Sequence, residues 1–239
     1  MKTFSMTDIG KMRQVNQDYI FTGEEKIGPL PNLFIVADGM GGHNAGDFAS
    51  KFTVEHFVGL CKESDEGDIR TVLLNAASAV NKELYEIAIK DPDKTGMGTT
   101  LVAATVSEGK IYIVNIGDSR LYVVGTDITQ VTRDHSYVQD LVSKGQLNEK
   151  DARLHPKKNV ITRAIGVSGE LDADYFEYEL GEGERILMCS DGLTNMIEDR
   201  DIRSIVRSRQ DLSAAVKALV DSANECGGID NISVILIEP

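Results

Sequence analysis

The sequence predicts an α+β domain in which sheet packs on sheet and amphipathic helices cover the outside. Three observations carry this. Seven apolar runs have the length of strands, most are separated by polar turns short enough to make them antiparallel neighbours, and helical periodicity is confined to a few stretches between them.

In chain order, the first run is 33–37, and two helical patterns follow it. Ala45, Phe48, Ala49 and Phe52 mark one face; Ile69, Val72, Leu73, Ala76, Val80, Leu84 and Ile87 mark a longer one, which Asp68 is placed to cap. Runs at 99–106, 111–116 and 119–124 come next, the first two joined by SEGK (107–110). Residues 136–158, SYVQDLVSKGQLNEKDARLHPKK, are polar and read as two short helices broken at Gly145, a surface excursion between strands. Runs at 172–180 and 185–189 follow. A third helical face (Leu212, Ala215, Val216, Leu219, Val220, Ala223) and a final run at 232–237 complete the chain.

At 239 residues the chain is expected to form one domain around one sizeable core. Its formal charge of −13 opposes phosphate backbones and anionic membranes, so neither nucleic acid nor a membrane is an expected partner. Cys61, Cys189 and Cys226 share no paired spacing, which argues against a disulfide framework or a zinc cage. The N-terminus lacks a leader-like apolar stretch, and no window approaches the roughly 20 apolar residues of a membrane span. The expected location is the cytoplasm.

Chemistry is signalled where the apolar runs end. FIVADG ends at Asp38, YIVNIGDS at Asp118 and ILMCSDG at Asp191, while GGIDNISVILI begins with Asp230. Aspartate beside glycine is ordinary turn chemistry at any one of these sites. Four such acids beside a core are harder to dismiss, because desolvating an unpaired carboxylate costs more than a turn preference returns. In a sandwich of antiparallel strands these ends can converge on one rim, where carboxylates repel unless divalent cations bridge them. All-oxygen ligation points to Mg²⁺ or Mn²⁺. Gly39 would let a backbone carbonyl approach such an ion, and Gly41 and Gly42 would permit dihedrals that side chains forbid. In TDIGKMRQVNQD (7–18), Arg13 offers a planar fork for phosphate, with Asp18 five residues on. A dinucleotide-binding turn at GMGG has little support: the next small-residue position is Asn44, and Asp38 would face the pyrophosphate.

TDIGKMRQVNQD, VADGMGGHNAG, GMGTT, NIGDSRLY, RDHS, NVITRAIG, CSDGL and GGIDNIS, in this order from residue 7 to 233, resemble the metal-dependent type 2C protein serine/threonine phosphatases, in spacing most like the small bacterial members. The resemblance implies a four-layer α-β-β-α sandwich of two antiparallel sheets, with 136–158 as a flap beside the active site. It implies two core ions, Mn²⁺ or Mg²⁺, with Asp38 bridging them, the Gly39 carbonyl on one, and Asp191 and Asp230 on the other. Asp18 would hold metal-bound water from an outer shell, Asp118 with Asp191 would bind a third ion, and Arg13 would bind phosphate. The reaction implied is hydrolysis of phosphoserine and phosphothreonine in proteins by a metal-bridging hydroxide, opposing a bacterial serine/threonine kinase, in a monomer. Two positions depart from the pattern. Met40 stands where animal members carry histidine, a candidate general acid, with His43 not its equivalent; Gln17 replaces a carboxylate found in many members. The rival readings are an inactive phosphoprotein-binding scaffold and a two-metal diesterase, the latter disfavoured by the acidic surface.

Overall fold

The computed structural model describes residues 1–41 and 45–239, so the expectation for Gly42, like His43 and Asn44, falls outside the described residues. The chain begins with β1 (Lys2–Asp8), β2 (Asp18–Gly23) and β3 (Leu33–Met40), then α1 (Ala45–Glu63) and α2 (Ile69–Lys90). Next come β4 (Gly98–Thr99), β5 (Leu101–Ser107), β6 (Lys110–Ile116), β7 (Arg120–Val124) and β8 (Ile128–Gln130). The excursion holds α3 (Tyr137–Ser143) and α4 (Glu149–Leu154). The chain closes with β9 (Asp174–Glu179), β10 (Arg185–Cys189), α5 (Asp191–Thr194), α6 (Asp199–Ser208), α7 (Leu212–Glu225) and β11 (Ile232–Glu238).

One sheet runs β1-β11-β10-β7-β8 and the other β2-β3-β5-β6-β9, with β4 added to β3; every pairing is antiparallel. The apolar runs are continuous because the central strands are buried on both faces. In β3, Phe34 and Val36 point between the sheets toward Ile186, Met188, Ile235 and Ile237, while Leu33, Ile35 and Ala37 point outward beneath α1 and α2. In β10 and β11, Leu187, Val234 and Leu236 face α6 and α7 in the same way. Two helix layers and two sheets thus enclose three apolar interfaces, the four-layer sandwich expected. Burying one leucine- or phenylalanine-sized side chain contributes about 1.5–3 kcal/mol, so each strand clad on both sides is anchored by several such contributions.

Asp68 caps α2 as expected, its carboxylate accepting from the Thr71 amide at 2.9 Å. The excursion contains two short helices, and Gly145 adopts φ +68° between them. Other boundaries differ. Strands β1, β2 and β8 fall outside the seven runs: β1 is a half-exposed edge, β2 has only Tyr19, Ile20 and Phe21 between polar flanks, and β8 is three residues long. The run expected at 99–106 is split at Thr100, where β4 ends and β5 begins. Helix α6 was also missed; it buries only Ile202 and Val206 amid charged residues. Among the described residues, no helix is long and apolar enough to cross a membrane.

Candidate active site

The acids at the strand ends meet at one rim of the sandwich. A cleft of about 250 Å³ is lined by Asp38, Gly39, Asp118, Asp191, Asp230 and Arg13, together with Gln17, Met40, Gly41, Thr100, Asn159, Ile161 and Asn231. Asp18 lies behind it, directly opposite Asp38 in the β2–β3 register. A larger open groove of about 440 Å³ lies elsewhere, beside β1 and the start of α7. Its acids are occupied: Glu24 accepts from Thr3, Asp211 caps α7, and Glu238 pairs with Arg185. Of these two, among the described residues, the rim is the one that combines converging acids with unpartnered oxygens.

Backbone geometry places each acid. The Asp38 amide donates to Thr100 Oγ1 at 2.9 Å, and the Asp38 carbonyl accepts from the Thr100 amide and Thr99 Oγ1, each at 2.9 Å. The GTT motif therefore clamps the end of β3. Gly39 is required by close packing: a Cβ there would lie 1.9 Å from the Gly46 carbonyl oxygen at the start of α1. Gly192 plays the same part beside Asp191, since its Cβ would meet the Asn231 carbonyl oxygen at 1.9 Å. Gly41 has φ +152°, within the range that disfavours side chains.

Asparagines and serines hold the remaining groups. Asn195 Nδ2 donates to Asp191 Oδ2 at 2.8 Å from the same helical turn. Asn231 Nδ2 donates to the carbonyls of Ile9 and Val15 at 3.0 and 3.1 Å, and Asn231 Oδ1 accepts from the Gln17 amide at 2.9 Å. This one side chain wraps the 9–17 loop against the start of β11. Ser190 Oγ donates to Asp18 Oδ2 at 2.7 Å. Ser190 and Asn231 stand between their acids and the apolar runs, where serine and asparagine read as ordinary turn residues, and Asn195 lies one helical turn from Asp191.

The electrostatics are those of a site short of positive charge. Burial first, then Asp18, Asp191 and Asp118, hold the Asp38 carboxyl well above its ordinary range. Asp118 is pushed the same way by burial and then by Asp191 and Asp134. Asp18 is pushed up to about 7 by burial, against the opposing Ser233 and Ser190 hydroxyls, and Asp191 to about 6 by burial and then Asp230. Asp18 Oδ1 and Asp191 Oδ1 are buried without a hydrogen-bond partner. Arg13 is the cation that reaches in: half exposed, its Nη2 donates to Asp230 Oδ2 at 2.7 Å. Arg120, two residues from Asp118, pairs with Asp134.

These features fit divalent cations. Orphaned oxygens on mutually repelling acids have room for ligands and no internal partner. Among the described residues no three such groups close into one tight cage. Instead they ring an open cleft, which suits hard ions that retain water and substrate oxygens in their shells.

Comparison with known proteins agrees with this geometry. The family profile of protein phosphatase 2C matches residues 11–227. The serine/threonine phosphatase stp of Listeria innocua is 40% identical over 97% of this chain and 93% of its own length. The crystal structure of the serine/threonine phosphatase Stp1 from Staphylococcus aureus superposes with a TM-score of 0.92 at 32% identity, covering 100% of this chain and 95% of that one. The catalytic domain of the phosphatase PstP in complex with two manganese ions gives a TM-score of 0.86 at 31% identity, covering 98% and 96%.

Proposed function

Because the chain belongs to the protein phosphatase 2C family, in its bacterial branch, we propose that it hydrolyses phosphoserine and phosphothreonine in proteins at the acid rim, using two core ions, Mn²⁺ or Mg²⁺. The observation that carries this reading is the set of buried carboxylates with unpartnered oxygens beside Arg13.

Asp38, the Gly39 carbonyl, Asp191 and Asp230 would hold the two core ions. Asp18, hydrogen-bonded to Ser190 behind the cleft, would act from outside by holding a water. Asp118 with Asp191 would hold a third ion. Bound there, the ions would make water a nucleophile near neutral pH and offset charge on the transferring phosphoryl group. Arg13 would orient the phosphate with the edge of its guanidinium that Asp230 leaves free, adding charge stabilisation and position in a reaction that needs little else. With Met40 at the cleft wall, no described imidazole lines the cleft to protonate the leaving alkoxide, and water held at Asp118 is the donor this reading favours.

We also read 1–239 as a single catalytic domain with 136–158 as a flap, and place it in the cytoplasm as a monomer opposing a serine/threonine kinase. Phosphate release from phosphoserine, phosphothreonine and phosphotyrosine peptides, with and without Mn²⁺, tests the proposal. Metal-dependent release from the first two supports it; no release with Mn²⁺ present would leave a binding scaffold.

A further inference from the structure

Behind the Gly117–Asp118 corner, outside the residues that line the cleft, His135 is buried at 5% exposure. Its backbone and its ring both grip Gly117. The His135 amide donates to the Gly117 carbonyl at 2.9 Å, and the Gly117 amide donates to His135 Nδ1 at 3.1 Å. That corner does not hold itself: Gly117 has φ +102°, and a Cβ there would lie 2.6 Å from Thr100 Cγ2. Nδ1 accepts, and Nε2 faces both Asp174 Oδ2 at 3.1 Å and Arg163 Nη1 at 3.2 Å, so the ring is held from both of its nitrogens. Asp174 is fixed in turn by Arg163 Nη1 at 2.9 Å, and Arg163 Nη2 reaches Asp172 at 2.8 Å.

On the other side of Asp118, Ser119 Oγ shares a hydrogen with Thr100 Oγ1 at 2.7 Å, the same oxygen that accepts from the Asp38 amide. Both chain neighbours of Asp118 are therefore held by side-chain hydrogen bonds, Gly117 by His135 and Ser119 by Thr100. We propose that His135 is a positioning residue for the reaction: its imidazole, oriented by Asp174 and Arg163, fixes the Gly117–Asp118 corner and so sets where the Asp118 carboxylate stands relative to the leaving group. This rests on the reading of Asp118 as a group that serves leaving-group protonation. His135 also closes the base of the flap, since the Thr162 amide donates to its carbonyl at 2.8 Å. That contact is made by backbone and would survive a change of side chain, so substitution isolates the ring.

The test uses two variants of the full chain. His135→Asn places an amide oxygen near the position of Nδ1 and keeps an acceptor for Gly117; His135→Gln extends a donor toward Asp174 and loses that acceptor. Amide exchange at Gly117 is followed by NMR. The kcat and KM are measured with Mn²⁺ on a phosphothreonine peptide and on p-nitrophenyl phosphate, with Asp118→Asn alongside. In His135→Gln, Gly117 exchange should rise at least about tenfold, and kcat on the peptide should fall about tenfold with little change in KM. The fall should be smaller on the aryl phosphate, whose leaving group hardly needs a proton. His135→Asn should restore protection and most of kcat. Unchanged Gly117 exchange in His135→Gln, or equal losses on both substrates that track thermal stability, would overturn the inference. If Asp118→Asn shows the leaving-group dependence and His135→Gln does not, only the inference fails. If Asp118→Asn is itself silent, the reading of Asp118 fails and the inference with it.

Discussion

Asp118 and Arg120 are two residues apart, yet they belong to opposite electrostatic regimes. Arg120 Nε donates to both oxygens of Asp134 at 2.9 and 3.0 Å, its Nη2 to Asp134 Oδ2 at 2.6 Å, and its Nη1 to the Tyr122 hydroxyl at 2.7 Å. Gln130 Nε2 adds a bond to Asp134 at 2.8 Å, and Tyr122 passes its own hydrogen to Asp199 at 3.2 Å. Every charge there is answered from within the chain. At the rim, Asp18, Asp38, Asp118 and Asp191 are all raised first by burial, and two of their oxygens have no partner. Burial alone therefore does not mark function. A buried charge with an internal partner is architecture; buried charges of one sign without partners await something from outside.

The two regions should respond most differently to substitution at Asp38 and at Arg120. Asp38→Asn should lower metal-dependent turnover by about a thousandfold or more, about 4 kcal/mol, while leaving the metal-free protein as stable or more so, because it removes one of several repelling charges. Arg120→Met should do the reverse. By stranding Asp134 in a buried setting it should cost about 3 kcal/mol of stability, read as a fall in the denaturation midpoint, with turnover largely retained at permissive temperature. If Asp38→Asn destabilised the metal-free protein as much as Arg120→Met, the two regions would not differ in kind.

A smaller effect is expected at Arg13, the rim's half-exposed cation. Arg13→Ala should reduce kcat/KM on a phosphopeptide by about 1–3 kcal/mol. An unchanged kcat/KM would remove it from the site. The smallest effect on chemistry should come from shortening 136–158, where α3 and α4 supply no acid to the rim. Preference among protein substrates should shift while hydrolysis of a small aryl phosphate persists; equal losses on both would make the flap part of the catalytic scaffold.

Much of this contrast was legible along the chain. Asp38, Asp191 and Asp230 adjoin strands buried on both faces, so each adjoins a conspicuous apolar run, and Asp118 follows another. Asp18 was harder to see, since β2 is short and flanked by the polar 9–17 loop, so nothing local showed that it is buried opposite Asp38. The partners were invisible for a different reason. Arg13 meets Asp230 across 217 positions, and Ser190 meets Asp18 across 172, contacts created by the way the sheets stack. The glycines were legible as necessary, but the reason at Gly39 is packing against α1.

Whether the rim acids hold more negative charge than Arg13 answers, with a divalent cation supplying the balance, is read directly in protons. Rim carboxyls raised above the ordinary value near 4 bind protons that the unfolded chain has released. Native protons then outnumber unfolded ones between about pH 4 and the raised values, about 6 for Asp191 and about 7 for Asp18, so stability of the metal-free protein falls as pH rises through that window. Acids lowered by partners, such as Asp68 and Asp91, titrate below it and contribute the opposite slope only at lower pH. A cation bound at the rim must displace the retained protons. Calorimetric titration of Mn²⁺ into the metal-free protein at pH 6, in buffers of different ionisation enthalpy, counts them. Net proton release in the native chain that shrinks in Asp38→Asn is the expected result; binding with no proton release, or release unaffected by that substitution, would contradict the account.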